Sequence, residues 1–337
     1  MVKILKFKNP ESKKILFSGS FFGLFLLLVF SLSACKEDSQ LEQEIAAIPV
    51  HLKVDRFDLK LGQATPESLP KLMNEYPYLF PQQYDNQFWK NKINDTLQQE
   101  LNREVKNEFP DFEEEQQELE ELFKHIKYYY PNAQIPKVLT VTSNVDYRNK
   151  VIFADSLLII ALDTYLGPDH HFYTGIQRYY AQNFTREEIP VDAASAFAEK
   201  VVPRPKDRRF IEEVIYHGKR LYLMEQLLSH YSKNKIISYT KDQFDWAQKN
   251  EVNVWTYFVE KQLLFSTDSK LLQRFINPGP FSKFYLDFDS ESPPRIGRYM
   301  GWQIVKSYME NTNTPLQMMI QKSADEIFKN AKFKPRK

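Results

Sequence analysis

The chain has 337 residues, with 45 Lys and Arg against 44 Asp and Glu, and a single cysteine. A net charge of +1 excludes both the basic balance of a nucleic-acid binder and the acidity of a disordered tail, and one thiol excludes an internal disulfide. With 42% hydrophobic residues, 15% aromatic ones and 9 Gly, there is enough apolar material for a globular core.

Residues 1–14 carry five Lys and one Glu, and residues 15–34 carry no charge. A positive segment, an apolar segment and small residues before a cut are the order of an export signal. The stretch Leu32-Ser33-Ala34-Cys35 resembles the lipobox of bacterial lipoproteins. That resemblance implies a signal peptide over 1–34, cleavage before Cys35, diacylglycerol on its thiol and acylation of the new amine. Two readings compete: an uncleaved membrane anchor, for which about 20 apolar residues are long enough, and a plain signal with a chance cysteine. The sole cysteine of the chain sits where lipidation needs it, which favours the lipoprotein. The exported part then has no free thiol, so its core alone must hold it folded.

Residues 36–48 are polar and read as a flexible tether. This makes 35–48 a lipidated linker and leaves 49–337 for a single globular domain. The alternation from Val50 to Val54 predicts a strand. Short helical pieces follow, divided by Pro66, Pro70, Pro77 and Pro81. Residues 95–109 and 111–128 predict helices capped by Asp95 and Asp111. Leu97, Leu101 and Val105 share a face of the first, and Leu119, Leu122, Phe123 and Ile126 a face of the second, whose Glu run reads as solvated. Residues 137–142 and 151–162 read as strands, the second broken at Asp155-Ser156. After Gly167-Pro168, helical spacing runs over 193–202, 209–231, 242–264, 269–275, 297–311 and 315–330. Few, clustered strands among many helices predict a mainly helical α+β fold with a small sheet packed against helices.

A zinc peptidase needs two His four apart on a helix, with Glu beside the first. The six His of the chain (His51, His125, His170, His171, His217 and His230) contain no such pair. There is no G-x-S-x-G, no P-loop and no G-x-G-x-x-G. Four clusters remain. The first holds Asp163, Tyr165, His170 and His171 after an apolar strand. A metal on the His pair competes there with a turn shaped by Gly167-Pro168. The turn is preferred, because adjacent His side chains reach one ion only from an irregular backbone. The second holds His217, Lys219 and Tyr222 around Gly218. A Gly inside a helix costs about 1 kcal/mol, so either a cleft or, preferably, a close helix contact explains it. The third is Trp246 and Trp255, which fall on opposite faces of one helix and read as core. The fourth holds Arg295, Gly297 and Gly301 after two prolines that open a helix. Arg295 near that N-terminus is placed for an anion, while the two Gly suit a tight helix crossing, the preferred reading. No catalytic residue and no metal ligand emerge. The candidate binding cleft is drawn from Asp163, Tyr165, His170, His171, His217, Lys219, Tyr222, Arg295, Gly297 and Gly301.

Several segments together carry a family likeness. They are Val54-Asp55-Arg56-Phe57-Asp58, His125-Ile126-Lys127-Tyr128-Tyr129-Tyr130-Pro131 and Leu162-Asp163-Thr164-Tyr165-Leu166-Gly167. Later come Tyr216-His217-Gly218-Lys219-Arg220-Leu221-Tyr222, then Arg274-Phe275 with Pro280-Phe281-Ser282-Lys283-Phe284, and the stretch from Ser292 to Val305. In this order, over nearly all of 35–337, they resemble the GldB family of gliding-motility lipoproteins of Bacteroidetes. The resemblance implies a lipoprotein needed for gliding, a motility linked to type IX secretion, and brings no catalytic residues. A more distant likeness joins the late segments to predicted zinc peptidases of the gluzincin type. Their His-Glu-x-x-His helix corresponds to 191–198, which has neither residue in place. This implies a peptidase-like scaffold without its metal.

The expectation is therefore a lipid-anchored protein of the cell envelope, at the outer membrane. It binds or scaffolds a protein partner of the gliding and secretion machinery, with no nucleic acid and no cofactor beyond the lipid on Cys35. The alternatives are a metal-dependent hydrolase built on His170, His171 and His217, and a glycan or lipid carrier.

Overall fold

A computed structural model describes residues 40–154 and 156–336. The signal 1–34 and Cys35 lie outside the described residues. Residues 40–46 form a short helix. Pro49–Lys337 make one compact unit, and the element labels below belong to it.

The sheet has four strands: β1 (Val54–Asp55), β2 (Lys137–Val141), β3 (Val151–Ala154) and β4 (Leu157–Ala161). Their spatial order is β1-β2-β4-β3. β1 and β4 run parallel to β2, and β3 pairs antiparallel with β4 in a hairpin whose last pair is Ala154 with Leu157. The expected break falls between β3 and β4. The strand expected over Val50 to Val54 shrinks to two residues, for a visible reason. The Leu52 N–H donates to Glu120 Oε1 at 3.0 Å and its carbonyl accepts from Gln116 Nε2 at 3.3 Å. A helix takes the bonds that a neighbouring strand would need.

Side chains alternate across the sheet, and both faces are covered, which explains strands so uniformly apolar. Val138, Leu158 and Ile160 point into the main core. Leu139 points the other way, into a smaller cluster with Phe57, Tyr76, Phe80 and Trp89. That second face is roofed by α1 (Phe57–Gly62), α2 (Leu69–Glu75) and α3 (Asn86–Asn94).

Next come α4 (Thr96–Glu108) and α5 (Glu113–Tyr129). Asp95 caps α4 by accepting from the Gln98 N–H at 2.9 Å. The cap of α5 is Phe112 rather than Asp111, which instead accepts from the Glu113 N–H just outside. Leu119, Leu122, Phe123 and Ile126 are buried as their spacing requires. Leu97 is not: it stands 63% exposed at the edge of a surface groove, while Leu101 and Val105 are buried. Within the Glu run, Glu115 is buried and ion-paired with Arg186 at 2.6 Å.

The main core is built by α6 (Arg178–Ala181), α7 (Ile189–Val201), α8 (Phe210–Leu227), α9 (Lys233–Ile236), α10 (Lys241–Lys249), α11 (Glu251–Glu260), α12 (Lys270–Phe275), α13 (Ile296–Asn311), α14 (Leu316–Gln321) and α15 (Ala324–Ala331). Two expected helices are each split. Asn250 separates α10 from α11, its side chain donating to the Trp246 carbonyl at 3.0 Å. Trp246 and Trp255 thus sit on different helices, both packed against the core. Between α14 and α15, the Lys219 ammonium donates to the carbonyls of Ile320 and Lys322, and Ser323 caps α15. A buried lysine satisfies the carbonyls that end α14.

Helices α8 and α13 cross with their backbones touching. A Cβ at Gly218 would overlap the Gly301 carbonyl, and one at Gly301 would overlap the Val214 carbonyl. A Cβ at Gly297 would lie 2.9 Å from the Phe275 carbonyl oxygen. The glycines are there for close helix contact, so Gly297 and Gly301 line no cleft.

Candidate functional site

Asp163 follows β4 and is fully buried. Its carboxylate accepts from the Ser143 N–H at 2.9 Å, from the Val145 N–H at 2.7 Å and from the Ser143 hydroxyl. Asn144 and Val145 both have φ of 57°, so this acceptor holds a loop in an unfavourable left-handed conformation. Burial raises the Asp163 carboxyl, and the two backbone N–H groups pull it back. The Tyr173 hydroxyl donates to the Asp163 carbonyl and accepts from the Leu166 N–H. This cluster is a brace. We expect Asp163→Asn to lose about 2 kcal/mol, because a buried N–H then faces an amide donor. Urea unfolding measures this, and an unchanged midpoint would remove the bracing role.

Beside the brace lies a cavity of about 150 Å³, lined among others by Lys150, Tyr180, Asp192, Ser238, Gly279 and Arg295. Asp192, on the first turn of α7, accepts from the Tyr165 hydroxyl at 2.8 Å and pairs with Lys150. The Lys150 ammonium also sits over the Tyr165 ring, 4.9 Å from its centre. Glu188, just before α7, is buried, and its Oε2 has no hydrogen-bond partner. Burial, and then the Asp192 charge, push its carboxyl up to about 7, with Lys150 and Lys235 acting the other way.

The opposite wall comes from the start of α13. Arg295 has φ of 59° and donates to the carbonyls of Ser238 at 3.0 Å and Ile237 at 3.3 Å. One turn on, Arg298 donates through Nε to the Ile276 carbonyl at 2.7 Å. Burial, and then Arg295 and Arg220, push the Arg298 guanidinium down to about 9. Burial and the charges of Arg298, Arg220, Arg295 and Arg204 hold His217 well below the usual imidazole range. A neutral imidazole hemmed in by cations is a poor proton donor.

The structure divides the residues singled out from sequence. Arg295 lines the cavity, Tyr165 donates to Asp192 on its wall, and His217 lies within the field of Arg295 and Arg298. Asp163 is part of the brace. His170 and His171 turn to α4, 3.7 Å from Glu104 and 3.2 Å from Glu100. Lys219 is buried against α14. Tyr222 lines a separate groove with Glu225 and Lys306. The one cleft expected from these residues is therefore not assembled. Lys150 and Asp192 line the cavity instead, with Glu188 acting on both and Arg298 on Arg295 through their charges. Only Arg298 left a sequence signal, three residues after Arg295 on one helical face.

Among the described residues, no group of three or more His, Cys, Asp or Glu is arranged to hold a metal ion. Among the same residues, no helix is long and apolar enough to cross a membrane. No curated protein and no solved structure matches the chain. One family model, that of the gliding motility protein GldB, matches residues 38–335, nearly the whole chain. The mainly helical α+β chain with the cation-walled cavity belongs to the GldB family, lipoproteins of the gliding-motility envelope apparatus.

Proposed function

We propose that the protein is a non-catalytic binding subunit of the gliding machinery, anchored to the outer membrane by lipid on Cys35. It engages a protein of the gliding and secretion apparatus through the cavity between α7 and the start of α13. The observation that carries this reading is the state of the ionisable groups there. Arg295 and Arg298 each give only part of their hydrogen bonds to backbone carbonyls, and His217 is kept neutral. Such a site suits the holding of a ligand, and the chain carries neither the His-Glu-x-x-His pair nor the G-x-S-x-G turn of the common hydrolases. A peptidase-like scaffold that keeps its cleft and binds a peptide segment fits this arrangement.

Two measurements in gliding cells test it. A photo-crosslinking residue at Tyr180 is expected to give one discrete protein adduct, and the same group at exposed Met318 none. Cys35→Ser is expected to release the protein from membranes and stop gliding. Each buried CH₂ contributes about 0.8 kcal/mol to anchoring, and a serine carries no thioether-linked chains. Detergent-requiring attachment of the Ser variant would show an uncleaved anchor instead. Absence of any Tyr180 adduct in gliding cells would remove the cavity from partner binding.

A further inference from the structure

Two half-buried guanidinium groups one helical turn apart call for an anion. Charges are rarely buried without a partner, since desolvation costs several kcal/mol for each ion. Arg295 bonds to the carbonyls of Ile237 and Ser238. Arg298 bonds to that of Ile276 through Nε alone. Among the described residues neither forms an ion pair. Glu188 and Glu213 are close enough to act on them electrostatically without doing so. Glu213 instead lies 3.9 Å from His217. A second orphan stands beside them: the Tyr216 hydroxyl is buried and unpartnered, with the Arg204 and Arg220 guanidinium groups each 5.5 Å from its ring centre. Arg220 is already engaged by Ser195 and Glu199, which leaves the α13 pair as the unmatched charge.

We propose that Arg295 and Arg298, with the cavity in front of Arg295, bind a carboxylate of an acidic peptide segment. The guanidinium fork matches a carboxylate with two parallel hydrogen bonds. The cavity volume of about 150 Å³ takes roughly five waters' worth of ligand, the size of one carboxyl-bearing side chain or a chain terminus. A phosphate dianion fits the charge less well, because Asp192 lines the same cavity and Glu188 acts on Arg295. Tyr147, Tyr179 and Tyr180 supply aromatic wall for the residues flanking the carboxylate. Bonds to the Ile237 and Ser238 carbonyls hold the Arg295 guanidinium at this wall.

The inference rests on the binding reading above and deepens it by naming the ligand chemistry. Its test uses the full chain, purified in detergent, with three probes: N-acetyl-triglycine carrying a free carboxylate, the corresponding amide, and inorganic phosphate. Thermal unfolding and tryptophan fluorescence give the affinities. The free carboxylate is expected to raise the Tm and the amide to leave it unchanged. Arg298→Gln is expected to weaken the carboxylate by tenfold or more, while its unliganded Tm equals or exceeds that of the natural protein. That last result separates a binding residue from a structural one, since a merely structural arginine would lower the unliganded Tm when removed. Should Arg298→Gln not fold, Arg295→Lys keeps the charge, loses the fork and is expected to weaken binding to the same degree. Equal responses to peptide acid and amide, or binding indifferent to both substitutions, would overturn the proposal. A phosphate response larger than that of the peptide would overturn the carboxylate assignment. Carboxylate binding without a Tyr180 crosslink would leave the anion site standing and remove the partner reading, so the two failures are distinguishable.

Discussion

Gly301→Val is expected to cost about 4 kcal/mol or to prevent folding. Overpacking a core usually costs about 1–3 kcal/mol, because side chains can rotate away. Here the atom struck is the Val214 carbonyl oxygen, which is backbone and cannot rotate. The helices must move apart instead. Their contact buries Val214, Ile215, Met300, Trp302 and Ile304, so separation also returns apolar area to water. Gly218 faces the same crossing from α8, and its substitution should be nearly as severe. Gly279→Ala serves as the control, since its added methyl would meet only the Phe281 carbonyl oxygen at an ordinary 3.7 Å. At about 2–4 °C per kcal/mol for a large domain, the Gly301 variant should melt roughly 10 °C lower and the control nearly unchanged. Circular dichroism melts decide it, and equal Tm values for both variants would dismiss the crossing as a constraint.

Glu188→Gln is expected to raise stability at pH 8 by about 3 kcal/mol and to leave it nearly unchanged at pH 4.5. In the folded chain the carboxyl titrates at about 7, against an ordinary value of 4.5. Between those values the folded state holds a proton that the unfolded state has lost. Stability therefore falls as pH rises through this window, and the deficit is complete above it. A difference of about 2.5 units converts to about 3 kcal/mol. The groups that set the balance are Asp192 and Glu187, which raise the value, and Lys150 and Lys235, which lower it. Glutamine removes the titration, so the pH slope of the urea midpoint between 5 and 8 should flatten. A variant no more stable than the natural protein at pH 8 would show that the two lysines outweigh burial.

Much of the fold could be read from the order of residues. The break between β3 and β4, the Asp95 cap and the α5 stripe all follow from local spacing. The errors share a cause. Val50 to Val54 alternates like a strand, yet Gln116 and Glu120 of α5 take its backbone bonds. Residues 315–330 keep helical spacing, yet Lys219 from α8 ends the helix after Gln321. In each case a partner more than sixty residues away wins over the local preference. Of the cavity's lining, only Arg295 was legible. Lys150, Glu188 and Asp192 carry no motif, because their meaning comes from being brought together, and Arg298 carries only its spacing from Arg295.

The sequence by itself determined the family and the mainly helical α+β class, since both follow from patterns that neighbouring residues carry. The tertiary structure alone decided that Gly218 and Gly301 meet at one crossing, and that Glu188 and Arg295 act on each other across more than a hundred residues. The physical reason is burial. A charge along a chain is an ordinary solvated group; only packing removes its water, shifts its protonation and leaves a guanidinium pair without a partner.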